Sequence, residues 1–143
     1  MFPTLFSAVL VVNAVIRNKA QVLDYLLNKL KEASGDISDA ALVNDDGLTI
    51  VSTISDKILE ERFAAVASSV FRPSRRCCSE LELDSFGFAI VSGRQGNLYM
   101  KEVGTGHVLA VLIRSSGDWS ALQKQLQRAA LDLQYIAEMK KRI

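Results

Sequence analysis

Six consecutive apolar residues, Val108 to Ile113, form the stretch hardest to accommodate in a folded chain of this kind. A strand sends alternate side chains to opposite faces, so an unbroken apolar run needs cover on both. The stretch predicts a central strand between two helical layers. Its neighbours fit that frame. "SFGFAIVS" (Ser85–Ser92) reads as a strand, with Phe86, Phe88 and Ile90 on one side and Gly87, Ala89 and Val91 on the other. "NLYMKEV" (Asn97–Val103) reads as the strand between the two.

Four of the eight glycines, Gly93, Gly96, Gly104 and Gly106, fall among these strands and raise the question of a phosphate cradle. A P-loop needs Gly-Lys followed by Ser or Thr, and no Gly-Lys pair occurs in the chain. A dinucleotide fingerprint needs a third glycine where Leu109 stands, and a helix where a strand follows. Both readings fail on letters and on context. The glycines are expected to mark hairpin turns, supplying positive φ at low steric cost.

Upstream, "VLDYLLNKLKEAS" is an amphipathic helix, with Val22, Leu26 and Ala33 at the centre of its stripe, Leu23, Leu27 and Leu30 beside them, and Gly35 as a left-handed cap. "DAALVNDDGLTIVST" gives two strands around the Asp46-Gly47 turn. A second helix is expected from Asp56 to Phe71, with Leu59, Phe63, Val66 and Val70 along one face. The opposite face carries Ala64, Ala65, Ser68 and Ser69, small for a solvated surface, and suits either close approach of a second helix across an interface or short side chains that simply point into water. Pro73 marks a kinked continuation or a turn into another short helix. After the last strand, Asp118 caps a long helix with a stripe of Trp119, Leu122, Leu126, Ala129, Leu133 and Ile136. The order is α-β-β-α-β-β-β-α: an α+β fold with a five-stranded antiparallel sheet and helices on both faces.

Chemistry is sparse. Cys77 and Cys78 are adjacent, which favours reduced thiols over a staple, and His107 is the single histidine available for a metal set or a triad. Asp45 and Asp46 read as turn formers. No catalytic, cofactor or metal site is expected, and the chain is read as no enzyme. A net charge of +1 argues against nucleic acid as a partner. Arg72, Arg75 and Arg76 fit a solvated helix end, with an acidic partner surface or lipid headgroups as the functional alternative, and Lys140 to Arg142 fit the macrodipole at a helix C-terminus.

Residues 1–17 are read as an apolar N-terminal extension to a domain over residues 18–143. "MFPTLFSAVLVVNAVI" lacks the leading charge of a signal peptide and is short of the ~20 residues a membrane span requires. Burial on the chain's own domain or in an oligomer, a shallow membrane anchor or uncleaved targeting segment through residues 1–16, and an over-extended start site stay open.

The full pattern resembles the Roadblock/LC7 family, a profilin- and longin-like fold, and particularly its prokaryotic members related to MglB-type regulators of Ras-like GTPases. The resemblance covers about Val22 to Leu133 and is carried by "DAALVNDDGLTIVS", "GNLYMKEVG" and "HVLAVLIR" in that order. It implies a dimer, with an identical chain or a Roadblock paralogue, in which the middle helices pack antiparallel and the following strands pair. Carried onto this chain, Ala64, Ala65, Ser68 and Ser69 lie at the helix contact, and Phe86, Phe88 and Ile90 on the pairing strand. It further implies a non-catalytic regulator or scaffold that binds a Ras-like small GTPase, cytoplasmic in location, with Arg76 and Arg94 not acting as arginine fingers. The alternative is a dimeric adaptor for other proteins or a membrane, in a longin-like trafficking role, without GTPase regulation. Pro73, the "RRCC" stretch and "RSSGDWSAL" depart from the family pattern.

Overall fold

A computed structural model describes residues 18–114 and 118–139. The apolar extension and the Lys140 to Arg142 run lie outside the described residues. Eight elements follow in order: α1 (Lys19–Ala33), β1 (Ile37–Asn44), β2 (Thr49–Ser52), α2 (Lys57–Glu80), β3 (Phe88–Gly93), β4 (Gly96–Glu102), β5 (His107–Ile113) and α3 (Trp119–Ala137). The strands form one antiparallel sheet in the order β2-β1-β5-β4-β3. The apolar run occupies β5, between β1 and β4, and Val108 to Val111 and Ile113 are buried. The expectation of a strand covered on both faces is met.

Antiparallel register sorts the sheet into two faces. Ala40, Val111, Tyr99 and Ile90 stand opposite one another across four strands, facing α1 and α3. There Leu23, Leu27 and Leu30 of α1 and Leu122, Leu126 and Leu133 of α3 close the larger core. The buried stripe of α1 is thus centred on the three leucines, while Ala33 is exposed. On the other face Ala41, Ala110, Met100 and Ala89 line up beneath α2, whose Ala64, Ala67 and Phe71 are buried against them. Alanine meets alanine here, so α2 lies close to the sheet.

Helix α2 joins the two edge strands, β2 and β3. Its 24 residues give about 36 Å, longer than the roughly 19 Å between those edges. Asp56 starts it by accepting from the Ile58 and Leu59 amides at 2.9 and 3.3 Å. The helix continues through Pro73 to Glu80 instead of ending at Phe71.

Three local expectations are corrected. Ser34 leaves α1 in extended conformation, and the residues at positive φ are Gly47, Gly104, Gly106, Glu82 and Asp84 among those described, so Gly35 is no left-handed cap. Gly93 and Gly96 are likewise absent from that set; they face each other as the last pair of the β3–β4 hairpin, with Arg94 and Gln95 making the turn. Glycine at 96 answers to space, because a Cβ there would lie 2.8 Å from the Ile113 carbonyl oxygen. Phe86 precedes β3 and packs edge-on against Phe71 at 5.2 Å on the α2 side, whereas Phe88 stacks on Tyr99 at 5.5 Å on the other. Simple alternation breaks because Phe86 and Gly87 belong to the irregular backbone between α2 and β3, and the strand begins only at Phe88.

Candidate functional site

The small side chains of α2 divide between two environments. Ala64 is 1% exposed and sits on Ala41 and Val43. Ser68 is half-buried, donates from Oγ to the Asp45 carbonyl at 3.2 Å, and has Gly47 close beside its Cβ. Close approach of a backbone is therefore the reason for these two, and the backbone is the chain's own first hairpin. Ala65 and Ser69 are exposed, with the Ser69 hydroxyl turned back to the Ala65 carbonyl at 2.8 Å. Around them Ile58, Leu59 and Val66 also remain exposed. The sequence stripe Leu59–Phe63–Val66–Val70 is a flank of the helix: Phe63 and Val70 are half-buried and the other two are out.

Strand β3 is a sheet edge paired only with β4 among the described residues. Phe88 and Ile90 are 41% and 37% exposed on the α1–α3 face, and Val91 is 47% exposed on the α2 face. Soluble proteins blunt such edges with Lys, Pro, bulges or a covering element. β3 is Phe-Ala-Ile-Val-Ser-Gly, holds none of those residues and runs six positions without a bulge. Apolar residues thus stay exposed on both faces of an edge that is open among the described residues. Two candidate surfaces follow: the outer face of α2 and the β3 edge. Of the seven sequence-predicted positions, the structure leaves Ala65, Ser69, Phe88 and Ile90 exposed, Ser68 and Phe86 half-buried, and Ala64 buried. Val66 and Val91 were missed because an apolar letter on a helix or strand reads as core until the covering element is located.

The charged and reactive groups lie in ordinary partnerships. Arg72 donates to the Asp45 carbonyl and pairs with Asp46 at 3.5 Å, Arg75 pairs with Glu102 at 3.5 Å, and Arg76 pairs with Glu80 at 2.7 Å. The three arginines thus clamp the first turn, the sheet and their own helix. Cys77 is exposed and Cys78 half-buried, both as free thiols. His107 lines a hollow with Lys19, Thr105, Ala137 and Glu138, where no Ser or Cys stands among the described residues. Among the described residues no three His, Cys, Asp or Glu side chains converge as a metal set would require. Nor is any described helix long and apolar enough to cross a membrane.

A family model described as Roadblock/LC7 domain matches residues 23–113. Solved structures share the fold, among them the following three. A Roadblock/LC7 domain from Streptomyces avermitilis is 21% identical, covers 80% of this chain and 96% of its own, and superposes with a TM-score of 0.74. MglB of Myxococcus xanthus is 18% identical, with 86% and 93% covered and a TM-score of 0.76. An MglB described as having a tetrameric arrangement is 18% identical, with 84% and 90% covered and a TM-score of 0.74. No curated protein matches the chain.

Proposed function

The chain belongs to the Roadblock/LC7 domain family, and from that premise we propose that it is one half of a dimeric, non-catalytic regulator of a Ras-like small GTPase. The observation that carries the reading is the open β3 edge, where Phe88, Ile90 and Val91 stay exposed beside unpaired backbone groups. A second copy, or a paralogue of the same fold, pairs its own β3 there and continues the sheet, which satisfies the backbone groups and covers the apolar side chains. The outer face of α2, with Ala65, Val66 and Ser69, then meets its mate, and Ala64 and Ser68 act from beneath by holding the helix close to the sheet. The tetrameric arrangement of one MglB is consistent with a fold that associates through such surfaces.

Regulation is assigned to the partner's chemistry. Nothing in the arrangement of Arg72, Arg75 and Arg76 offers a free guanidinium to a phosphate, since each is engaged within the chain. A regulator of this kind acts by holding the GTPase's own catalytic groups in place. The test is phosphate release from GTP-loaded Ras-like GTPases with and without the chain, together with direct binding. Binding with a changed rate supports regulation. Binding without a rate change reduces the role to scaffold. No binding to any candidate GTPase, by a chain whose solution mass is that of a dimer, overturns the GTPase reading and leaves the adaptor.

A further inference from the structure

The outer side of the α1–α3 layer, turned away from the sheet, carries an apolar groove of about 390 Å³. The two helices run antiparallel: Lys19 Nζ, at the start of α1, donates to the Ala137 carbonyl at the end of α3, and the groove joins the second half of α1 to the first half of α3. Leu30, buried, forms the floor, and Leu26, Ala33 and Ala129 form the walls. Ala33 is exposed and Ala129 half-buried, so these walls are low. The lips carry charge. Lys29 stands on the α1 side, and Lys124 and Arg128 stand on the α3 side, their stems extending the walls while the charged heads reach water. One carboxylate, Asp132, also lines the groove and pairs with Arg128 at 3.6 Å. Lys29 rests over the Tyr25 ring at 5.5 Å, and neither it nor Lys124 has a carboxylate in ion-pairing reach among the described residues. In a chain whose 17 basic and 16 acidic residues nearly balance, three cations against one carboxylate are a local excess.

We propose that this groove binds one amphipathic helix of an acidic protein partner, with an apolar stripe at i, i+3 or i+4, and i+7 and Asp or Glu on both flanks. Shape supplies the first reason. Leu26 and Ala33 are themselves i and i+7, about 10 Å apart along α1, which is the reach of such a stripe. A trough between two helices receives the ridge of a third, and the two alanines let its backbone come close. A flat surface would touch the lips and leave Leu30 and the walls uncovered. Charge supplies the second reason. Cations stand on both lips, so a helix seated between them meets complementary charge only when both of its flanks are acidic. A second copy of the same face would bring Lys29, Lys124 and Arg128 against their own kind. The site lies across the sheet from α2, so it does not rest on the pairing of β3 and leaves both of those surfaces open.

The probe is a synthetic helix of about 15 residues, stapled on its outer face because a free peptide of that length is barely helical in water. It carries leucine at i, i+3, i+4 and i+7 with glutamate on both flanks, and its twin carries lysine in place of every glutamate. Each is titrated into the full chain labelled in its methyl groups and followed by nuclear magnetic resonance. The glutamate helix is expected to bind at least about ten-fold tighter than its twin, with the largest shifts at Leu26, Leu30, Ala33 and Ala129. Lys124→Glu combined with Arg128→Glu, at unchanged circular dichroism, reverses that preference. Equal binding of the twins, binding of neither, or shifts centred on Ile90 and Val91 of β3 overturns the proposal. Nuclear Overhauser contacts between the groove methyls and residues 1–16 in the chain alone overturn it in favour of that segment. Groove shifts that grow with chain concentration, with no helix added, overturn it in favour of a second copy. Groove shifts of the same size on adding phosphatidylserine–phosphatidylcholine vesicles overturn it in favour of a lipid surface.

Discussion

Tyr99 is the residue whose chemistry is most altered by the fold. It is 0% exposed, stacked on Phe88 and edge-on to Trp119 at 6.2 Å, and its hydroxyl has no hydrogen-bond partner among the described residues. Burial disfavours the phenolate and pushes the Tyr99 pKa up to about 12 from 10.0. The unfolded chain therefore releases this proton first as pH rises. Above pH 10 the unfolded state binds fewer protons than the native one, so stability is full below that point and declines as pH approaches 12. Tyr99→Phe removes both the titration and the orphaned hydroxyl. It is expected to be neutral or stabilising by on the order of 1 kcal/mol at neutral pH. Urea unfolding at pH 8 and pH 11 checks it: the wild type loses more stability between them than the variant, and equal losses would put the alkaline sensitivity elsewhere. No sequence signal marks this position. Tyrosine on a strand reads as a residue with one wet end, and only the stacking of Phe88 and Trp119 over it removes the water.

At the scale of elements, α2 holds the main difference between reading and structure. Apolar periodicity placed the helix, and Asp56 fixed its start, because both are local properties. Its end and its buried face are not local. The helix outlasts Pro73 because the loop after it must begin beyond the β3 edge, and its base is alanine because the sheet beneath offers Ala41 and Ala110 rather than a pocket for leucine. The same reasoning explains why β5 was legible: six apolar residues admit one environment, whereas Ala64 and Ser68 suit either a partner's backbone or the chain's own. Phe86 was misplaced for a comparable reason, since it lies before the strand begins at Phe88, where the two-residue alternation does not apply. Pro73 also carries a measurable cost. It cannot donate to the Ser69 carbonyl, and its ring crowds the preceding turn. Pro73→Ala is expected to stabilise the chain by about 1–3 kcal/mol, part of the helix-interior penalty being offset by the freer unfolded chain. Thermal unfolding measures it, and an unchanged or lower midpoint would mean that neighbours already relieve the defect, or that proline's rigidity in the unfolded chain outweighs it.

For the whole molecule, the unequal dressing of the sheet is the feature on which the proposed dimer rests. One edge is the four-residue β2, short as protected edges are. The other is β3, longer, apolar and uncharged. Because α2 travels between these edges, its outer face and the β3 edge belong to one structural unit, and in the proposed dimer a two-fold partner engages both at once. A single substitution then appears twice in the interface, so a buried charge meets its own copy's surroundings as well as the apolar patch. Ile90→Glu and Val66→Glu are each expected to weaken association by at least about 100-fold, roughly 3 kcal/mol. Leu48→Glu, 63% exposed beside the β2 edge, leaves association unchanged. Sedimentation equilibrium distinguishes them, with native circular dichroism required of all three variants. If Ile90→Glu yields monomers and Val66→Glu does not, the sheet edge alone carries the dimer and the outer face of α2 stays free for another partner. If Leu48→Glu is the variant that dissociates, the contact runs through the β2 edge and the assembly differs from the one proposed.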